Sequence, residues 1–210
     1  SNAFRVRKGR QKVANAVATD LAYLSEKGEI IALRKGFYLI IPPRYSKLSV
    51  IPLELYVNKL FVHLGKPYYI GLYSAAQLHG AAHQQAQTEY IITEGTRMLD
   101  IHKKNIAINF FLTSNWPQAN IVQKRSDAGY FNVSDPLLTI VDLIYHQRKL
   151  GGINRMLANI EELLEEESLG DFVDIGELRN LVNDHIEGKR DYYRILFNLI
   201  ALSAWRKKYP

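Results

Sequence analysis

The sequence predicts an α+β protein built in three parts, and three patterns indicate it. Apolar residues recur at helical spacing from residue 11 to 27, followed by two short apolar runs around a glycine. Short β-rich runs fill residues 89–133, and apolar stripes of helical period fill the last 60 residues. We therefore expect an N-terminal helix and hairpin over 1–43, a central mixed α/β domain with a small, mostly antiparallel sheet over 50–150, and a C-terminal helical bundle over 151–210.

The composition is that of an ordinary globular protein, with 47% hydrophobic and 23% charged residues among 210. No cysteine is present, which excludes disulfides, thiolate nucleophiles and cysteine-based zinc sites. The absence of cysteine fits a reducing cytoplasm, where we expect the protein. Polar residues interrupt each apolar run well before the roughly 18 residues of a membrane-spanning helix, so we expect a soluble protein without membrane contact. Residues 1–3 have the sequence of a scar left by affinity-tag cleavage, and natural sequence is expected to begin near Phe4.

Positive charge is concentrated at the start of the chain. Residues 1–50 contain ten lysines or arginines and three acids, a net charge of +7, whereas the whole chain carries +6. The other 160 residues therefore carry a net charge of −1. This asymmetry is typical of a protein in which one module meets a polyanion.

The first element is predicted as an amphipathic helix over residues 11–27, ended by Gly28. Strands are predicted over 29–33 and 37–41, joined by a three-residue tip in which Gly36 takes a positive φ. This order is that of the last helix and wing of a winged helix-turn-helix, whose helix reads the major groove while the wing lies on the DNA backbone. Only about seven natural residues precede the helix, so we expect a partial module, most simply explained by truncation.

The residues expected to touch DNA lie at the helix start and at the hairpin tip. Four cations would contact phosphates, two amides would reach base edges, and two cations at the tip would hold the backbone. In that order they are Arg7, Lys8, Arg10 and Lys12; Gln11 and Asn15; Arg34 and Lys35.

The central region is predicted to begin with two helices after a linker or domain boundary marked by Pro42, Pro43 and the polar stretch to Ser49. The first runs from Pro52 through about His63. The second is short, and Ser74 with Gln77 has capping-box spacing at its start.

Strands and a further capped helix are predicted next. Four runs, EYIIT, IAINFFL, ANIVQK and GYFNV, are short, β-rich and separated by turn residues. Asp135 or Ser134 is expected to cap the helix that follows, with Pro136 in its first turn.

The C-terminal region is predicted to contain three helices. The first carries an apolar stripe from Ile153 to Leu164, the second begins at Asp174, and the third, over about 191–207, is apolar almost all round. A helix of the third kind lies inside a bundle or against another chain. It keeps open a second interpretation, a protein-interaction module that binds a toxin or a second copy of itself through this region.

No catalytic residue is evident from the sequence. His79 and His83 have the spacing of a metal pair, but no third ligand is near and Gly80 weakens the helix, so we expect no metal site. There is no Asp-x-Asp pair for magnesium, and the EGK triplet at 187–189 falls in a predicted turn. A nuclease or other nucleotide-acting enzyme is therefore disfavoured, and we expect a non-enzymatic protein without a cofactor.

Three segments carry a resemblance to a known family: LRKGFYLIIPPRY, HLGKPYYIGLYSAAQLHGAAHQQ and VSDPLLTIVDLIYHQRKLGGINRML. In this order they resemble the AbiEi antitoxins of type IV toxin-antitoxin systems, over roughly residues 12–160. PYYIGLYSAAQLHG is the most specific part. Thr139 and Asp142 match the family pattern, whereas Leu137 stands where the family often has an acid.

The resemblance implies a bacterial transcriptional regulator with an N-terminal winged helix-turn-helix and a larger C-terminal domain. It also implies a repressor of its own operon that counteracts a nucleotidyltransferase-like toxin without necessarily binding it tightly. The expected partners are double-stranded DNA from its own promoter and, functionally, that toxin. A homodimer remains an open alternative.

Overall fold

The computed structural model describes residues 15–46, 51–81, 87–151 and 153–166, together with 180–181, 184 and 187–189. The helices predicted from Asp174 onward, including the apolar helix over 191–207, lie largely outside the described residues. The described part is an α+β protein with two sheets. The α+β class predicted from the sequence is confirmed.

The N-terminal helix and hairpin follow the predicted order. Helix α1 occupies residues 15–26 of the described chain, and Gly28 ends it with a φ of 76°. Strands β1 (Ile30–Arg34) and β2 (Phe37–Ile40) pair antiparallel. The tip differs from the predicted three-residue loop, because the register shifts by a bulge just before Arg34 and leaves a two-residue turn.

The remaining elements follow in chain order. They are α2 (Pro43–Ser46), a 3-10 turn (Leu53–Leu55), α3 (Val57–Leu64), β3 (Tyr68–Ile70), α4 (Leu72–Leu78), β4 (Glu89–Glu94), β5 (Ile101–Lys103), β6 (Ile106–Thr113), β7 (Ile121–Ser126), β8 (Gly129–Ser134), α5 (Pro136–Tyr145), α6 (Gln147–Leu150) and α7 (Ile153–Glu166). The single helix predicted from Pro52 is thus divided into a 3-10 turn and α3.

One predicted helix cap is confirmed and one is wrong. Oδ1 of Asp135 accepts a hydrogen bond from the backbone N–H of Leu138 at 2.9 Å, which caps α5 as predicted. Ser74 instead lies buried inside α4, which begins two residues earlier. Its hydroxyl donates to Oε2 of Glu89 at 2.5 Å and accepts from the N–H of Tyr90 at 2.9 Å, so it joins α4 to β4.

The large sheet has six strands in the order β5-β6-β4-β3-β8-β7. Strand β4 is parallel to β6 and β3 is parallel to β8, while the other three pairings are antiparallel. Three of the five pairings are antiparallel, as expected from the sequence, and the two parallel pairings, which lie on either side of the antiparallel β4–β3 pair, were not predicted. Strands β3 and β5 were not predicted, because three residues are too few to show a period of two.

The sheet separates two apolar cores, since successive side chains of a strand point to opposite faces. On the first face, Ile31 and Leu33 of the hairpin share a core with Leu60 and Phe61 of α3. The second face is covered by α4, α5 and α7, whose buried residues include Tyr73, Leu143 and Ile160. The hairpin is therefore a packed layer of the protein, held on the same face of the sheet as α3.

Candidate nucleic-acid interface

The hairpin turn consists of Lys35 and Gly36. Gly36 has a φ of 76°, a left-handed conformation that a residue with a Cβ adopts only at a cost of roughly 1–2 kcal/mol. Nε2 of His63 lies 3.2 Å from the carbonyl oxygen of Lys35, and the ring centroids of Phe37 and His63 are 5.5 Å apart. The turn is thus supported from below by α3, with the Lys35 side chain exposed to solvent.

Arg34 has partners within the protein. Its guanidinium group donates a hydrogen bond to the carbonyl oxygen of Leu99 and lies 5.3 Å from the centroid of the Phe110 ring. Partial burial lowers the pKa of Arg34, and the nearby Asp100 carboxylate opposes that shift. The two tip cations therefore differ, because Arg34 joins the hairpin to the sheet while Lys35 faces outward.

Helix α1 presents a polar and an apolar surface to solvent. Asn15 and Thr19 are exposed, and the Thr19 hydroxyl donates to the backbone oxygen of Asn15 at 3.0 Å. Val17 and Tyr23 keep 51% and 55% of their surface exposed. The described part of α1 is therefore accessible along most of its length, as a helix entering a DNA groove must be.

The predicted DNA-binding residues fall into two groups. Asn15, Arg34 and Lys35 are described and lie in one helix-hairpin unit. The other five, Arg7, Lys8, Arg10, Gln11 and Lys12, lie outside the described residues.

Two lysines from the region of β5 also contact the helix-hairpin unit, and these contacts were not predicted from the sequence. Nζ of Lys103 donates to the carbonyl oxygen of Ala32 at 2.6 Å, and Nζ of Lys104 lies 3.5 Å from that of Ser25. Each lies more than 70 residues from its partner, so no local charge pattern could reveal the contact. They fasten β5 to the helix-hairpin unit.

His79, the described member of the histidine pair considered in the sequence, has hydrogen-bond partners within the protein. Nε2 of His79 donates to the carbonyl oxygen of Ser134 at 2.7 Å, and its Nδ1 lies 3.3 Å from Nζ of Lys124. Both ring nitrogens thus have partners within the protein, and His83 lies outside the described residues. Across the described ranges, no three His, Asp or Glu side chains are grouped to hold a metal ion.

Two buried titratable groups lie at α5: Asp142 within the helix and His146 directly after its last residue. Burial raises the pKa of Asp142 from 3.8 to about 8, although the Tyr69 hydroxyl offsets part of that rise. Burial, and secondarily the charge of Lys149, lowers the pKa of His146 to about 4. Both groups are therefore neutral at pH 7.

Among the described residues, no helix combines the length and the apolar character needed to cross a bilayer. A scan of the sequence against protein-family models gives no match, and a search among curated proteins gives no significant match.

Proposed function

We propose that this protein is a non-enzymatic, DNA-binding transcriptional regulator. The observation that carries the proposal is the exposed Lys35 on a glycine-containing turn of a hairpin that follows a solvent-accessible helix in the chain. Phosphate contacts from such a turn fix a protein on the duplex, and a helix in the major groove reads the bases. The concentration of positive charge in residues 1–50 supports the same function.

In this proposal the residues have different roles. Asn15, together with Gln11, reaches base edges and provides sequence preference. Arg7, Lys8, Arg10 and Lys12 bind phosphates near the helix start, and Lys35 binds the backbone from the hairpin. Arg34 contributes its charge to the same region while its guanidinium holds the hairpin against the sheet.

We further propose that the regulator acts as an AbiEi-type antitoxin. The support is the order of the three sequence segments, from LRKGFYLIIPPRY to VSDPLLTIVDLIYHQRKLGGINRML. The protein would repress its own operon and counteract a nucleotidyltransferase-like toxin encoded beside it.

The test is fluorescence-anisotropy binding to duplex DNA from the region upstream of its own gene and to a scrambled duplex, across a salt series. We expect tighter binding to the upstream duplex, with an affinity that falls steeply as salt rises, because counterions are released from the phosphates. Weak and equal binding to both duplexes would overturn the proposal that the protein is a DNA-binding regulator. For the antitoxin role, the measurement is whether co-expression restores growth to cells that produce the neighbouring toxin.

A further inference from the structure

Basic residues lie on three separate chain segments that hydrogen bonds connect: the hairpin turn, the end of α3 with the residues after it, and the β4–β5 loop. Lys35 lies in the turn, His63 lies at the end of α3 and Lys66 follows that helix. Arg97 lies in the loop between β4 and β5. We call these four residues the collar.

Hydrogen bonds hold the collar segments together. His63 Nε2 contacts the carbonyl oxygen of Lys35 at 3.2 Å, and Nζ of Lys66 donates to the carbonyl oxygen of Thr96 at 3.2 Å. Thr96 precedes Arg97 in the β4–β5 loop, which is joined back to the hairpin where Arg34 donates to Leu99. The hydrogen bonds thus connect the hairpin to α3, the segment after α3 to the β4–β5 loop, and that loop back to the hairpin.

The side chains of the collar are available to an outside partner. Lys35, His63 and Arg97 are exposed and Lys66 is partly exposed. Lys66 uses one of its three donors on Thr96, which leaves two for an anion. Two carboxylates flank the loop: Glu94 is the last residue of β4, and Asp100, which precedes β5, accepts a hydrogen bond through Oδ1 from the backbone N–H of Phe110 at 2.9 Å.

We propose that the backbone of a bound duplex runs across the collar, so that Lys66 and Arg97 of the sheet domain bind phosphates alongside Lys35. This inference rests on the proposed DNA-binding function and extends it to residues outside the helix-hairpin unit. A linear polyanion suits the collar better than a small ligand, because its cations come from successive segments along a rim. Phosphate contacts of this kind carry no base information, so they add affinity to every sequence equally.

The experiment compares the wild-type chain with the variant Lys66→Gln/Arg97→Gln in the salt series described above. The salt slope of log K is expected to fall by about 1.8, or about 0.9 for each lost phosphate contact. Affinity for the upstream and scrambled duplexes should fall by the same factor, leaving their ratio unchanged. Glutamine at position 66 keeps a donor for Thr96, and the single variant Arg97→Gln, expected to lower the slope by about 0.9, tests the collar without touching that bond.

The matched control is Arg125→Gln/Arg148→Gln, which removes the same charge elsewhere. Arg125 lies on β7, the edge strand opposite β5, and Arg148 is exposed in α6. If the wild type binds the upstream duplex but the collar variants keep the slope of the control, the collar inference is wrong and the regulator stands. If the wild type shows no salt-dependent binding to the upstream duplex, both proposals fail.

Discussion

The guanidinium group of Arg34 donates a hydrogen bond to the carbonyl oxygen of Leu99, 65 residues further along the chain. Lys35, its neighbour in sequence, extends into solvent. The two adjacent cations of the hairpin are therefore expected to have different roles, and single substitutions can distinguish those roles.

Arg34→Ala should weaken both folding and DNA binding. Loss of the charge-assisted bond to Leu99 is expected to lower the free energy of unfolding by about 1 kcal/mol, given the partial exposure of the site. Lys35→Ala should leave stability within about 0.5 kcal/mol of wild type and lower the salt slope by about 0.9. Urea unfolding and anisotropy titrations measure the two effects, and equal stability losses in both variants would contradict the division of roles.

Leu33→Ala should destabilise the entire described core in one transition. Leu33 is 2% exposed and packs in the same core as Leu60 and Phe61. Truncating a buried leucine costs about 2–5 kcal/mol. Tyr38→Ala, on the exposed side of the same hairpin, is the control with an expected small effect. Unfolding followed by tryptophan fluorescence and by circular dichroism should give coincident midpoints, and a separate early transition would show that the hairpin unfolds alone.

Stability should fall as pH rises from 6.5 to 8 because of Asp142. Its pKa is raised to about 8 in the folded protein, so the folded state holds a proton that the unfolded state has released. The slope is at most about 1.4 kcal/mol per pH unit for one proton. Asp142→Asn removes this titration and should flatten the dependence in that window. Denaturant unfolding at several pH values measures it, and an unchanged slope in the variant would refute the assignment.

His146 should make the protein less stable as pH falls, the opposite of the pH dependence expected from Asp142. Its pKa is lowered to about 4, so between pH 6.5 and 4 the unfolded state takes up a proton that the folded state does not. Stability is therefore lost as pH falls through this window. Because Asp142 opposes the effect there, the comparison is between Asp142→Asn and Asp142→Asn/His146→Gln. The loss of stability caused by His146 between pH 6.5 and 4 should be present in Asp142→Asn and absent in Asp142→Asn/His146→Gln.

Sequence patterns predicted correctly those features that depend only on residues close by in the chain. The positive φ of Gly36 and the Asp135 cap follow from residues a few positions away, and the structure has both. The orientation of Arg34 could not be predicted in this way, because Leu99 and Phe110 determine it from a distant part of the chain. A serine at capping spacing also misleads where burial decides, since Ser74 lies inside α4 and bonds to β4.

The candidate interface could be predicted from the sequence only where its cations are neighbours in the chain. Arg34 and Lys35 are adjacent, so the sequence predicts both as DNA contacts, which stays a prediction. Lys66 and Arg97 stand alone among uncharged neighbours or beside acids, and only the fold brings them to the hairpin. The inward face of α5, which buries Asp142, likewise depends on how that helix packs against the sheet.

The shared core of Ile31 and Leu33 with α3 has a consequence for modularity. A fragment containing only residues 15–46 would carry these apolar side chains into water, so the hairpin cannot be grafted onto another protein as an independent unit. A protease cut between residues 46 and 51 would leave the two pieces associated through that core. The hairpin, α3 and the sheet beneath them are therefore expected to fold and unfold as one unit.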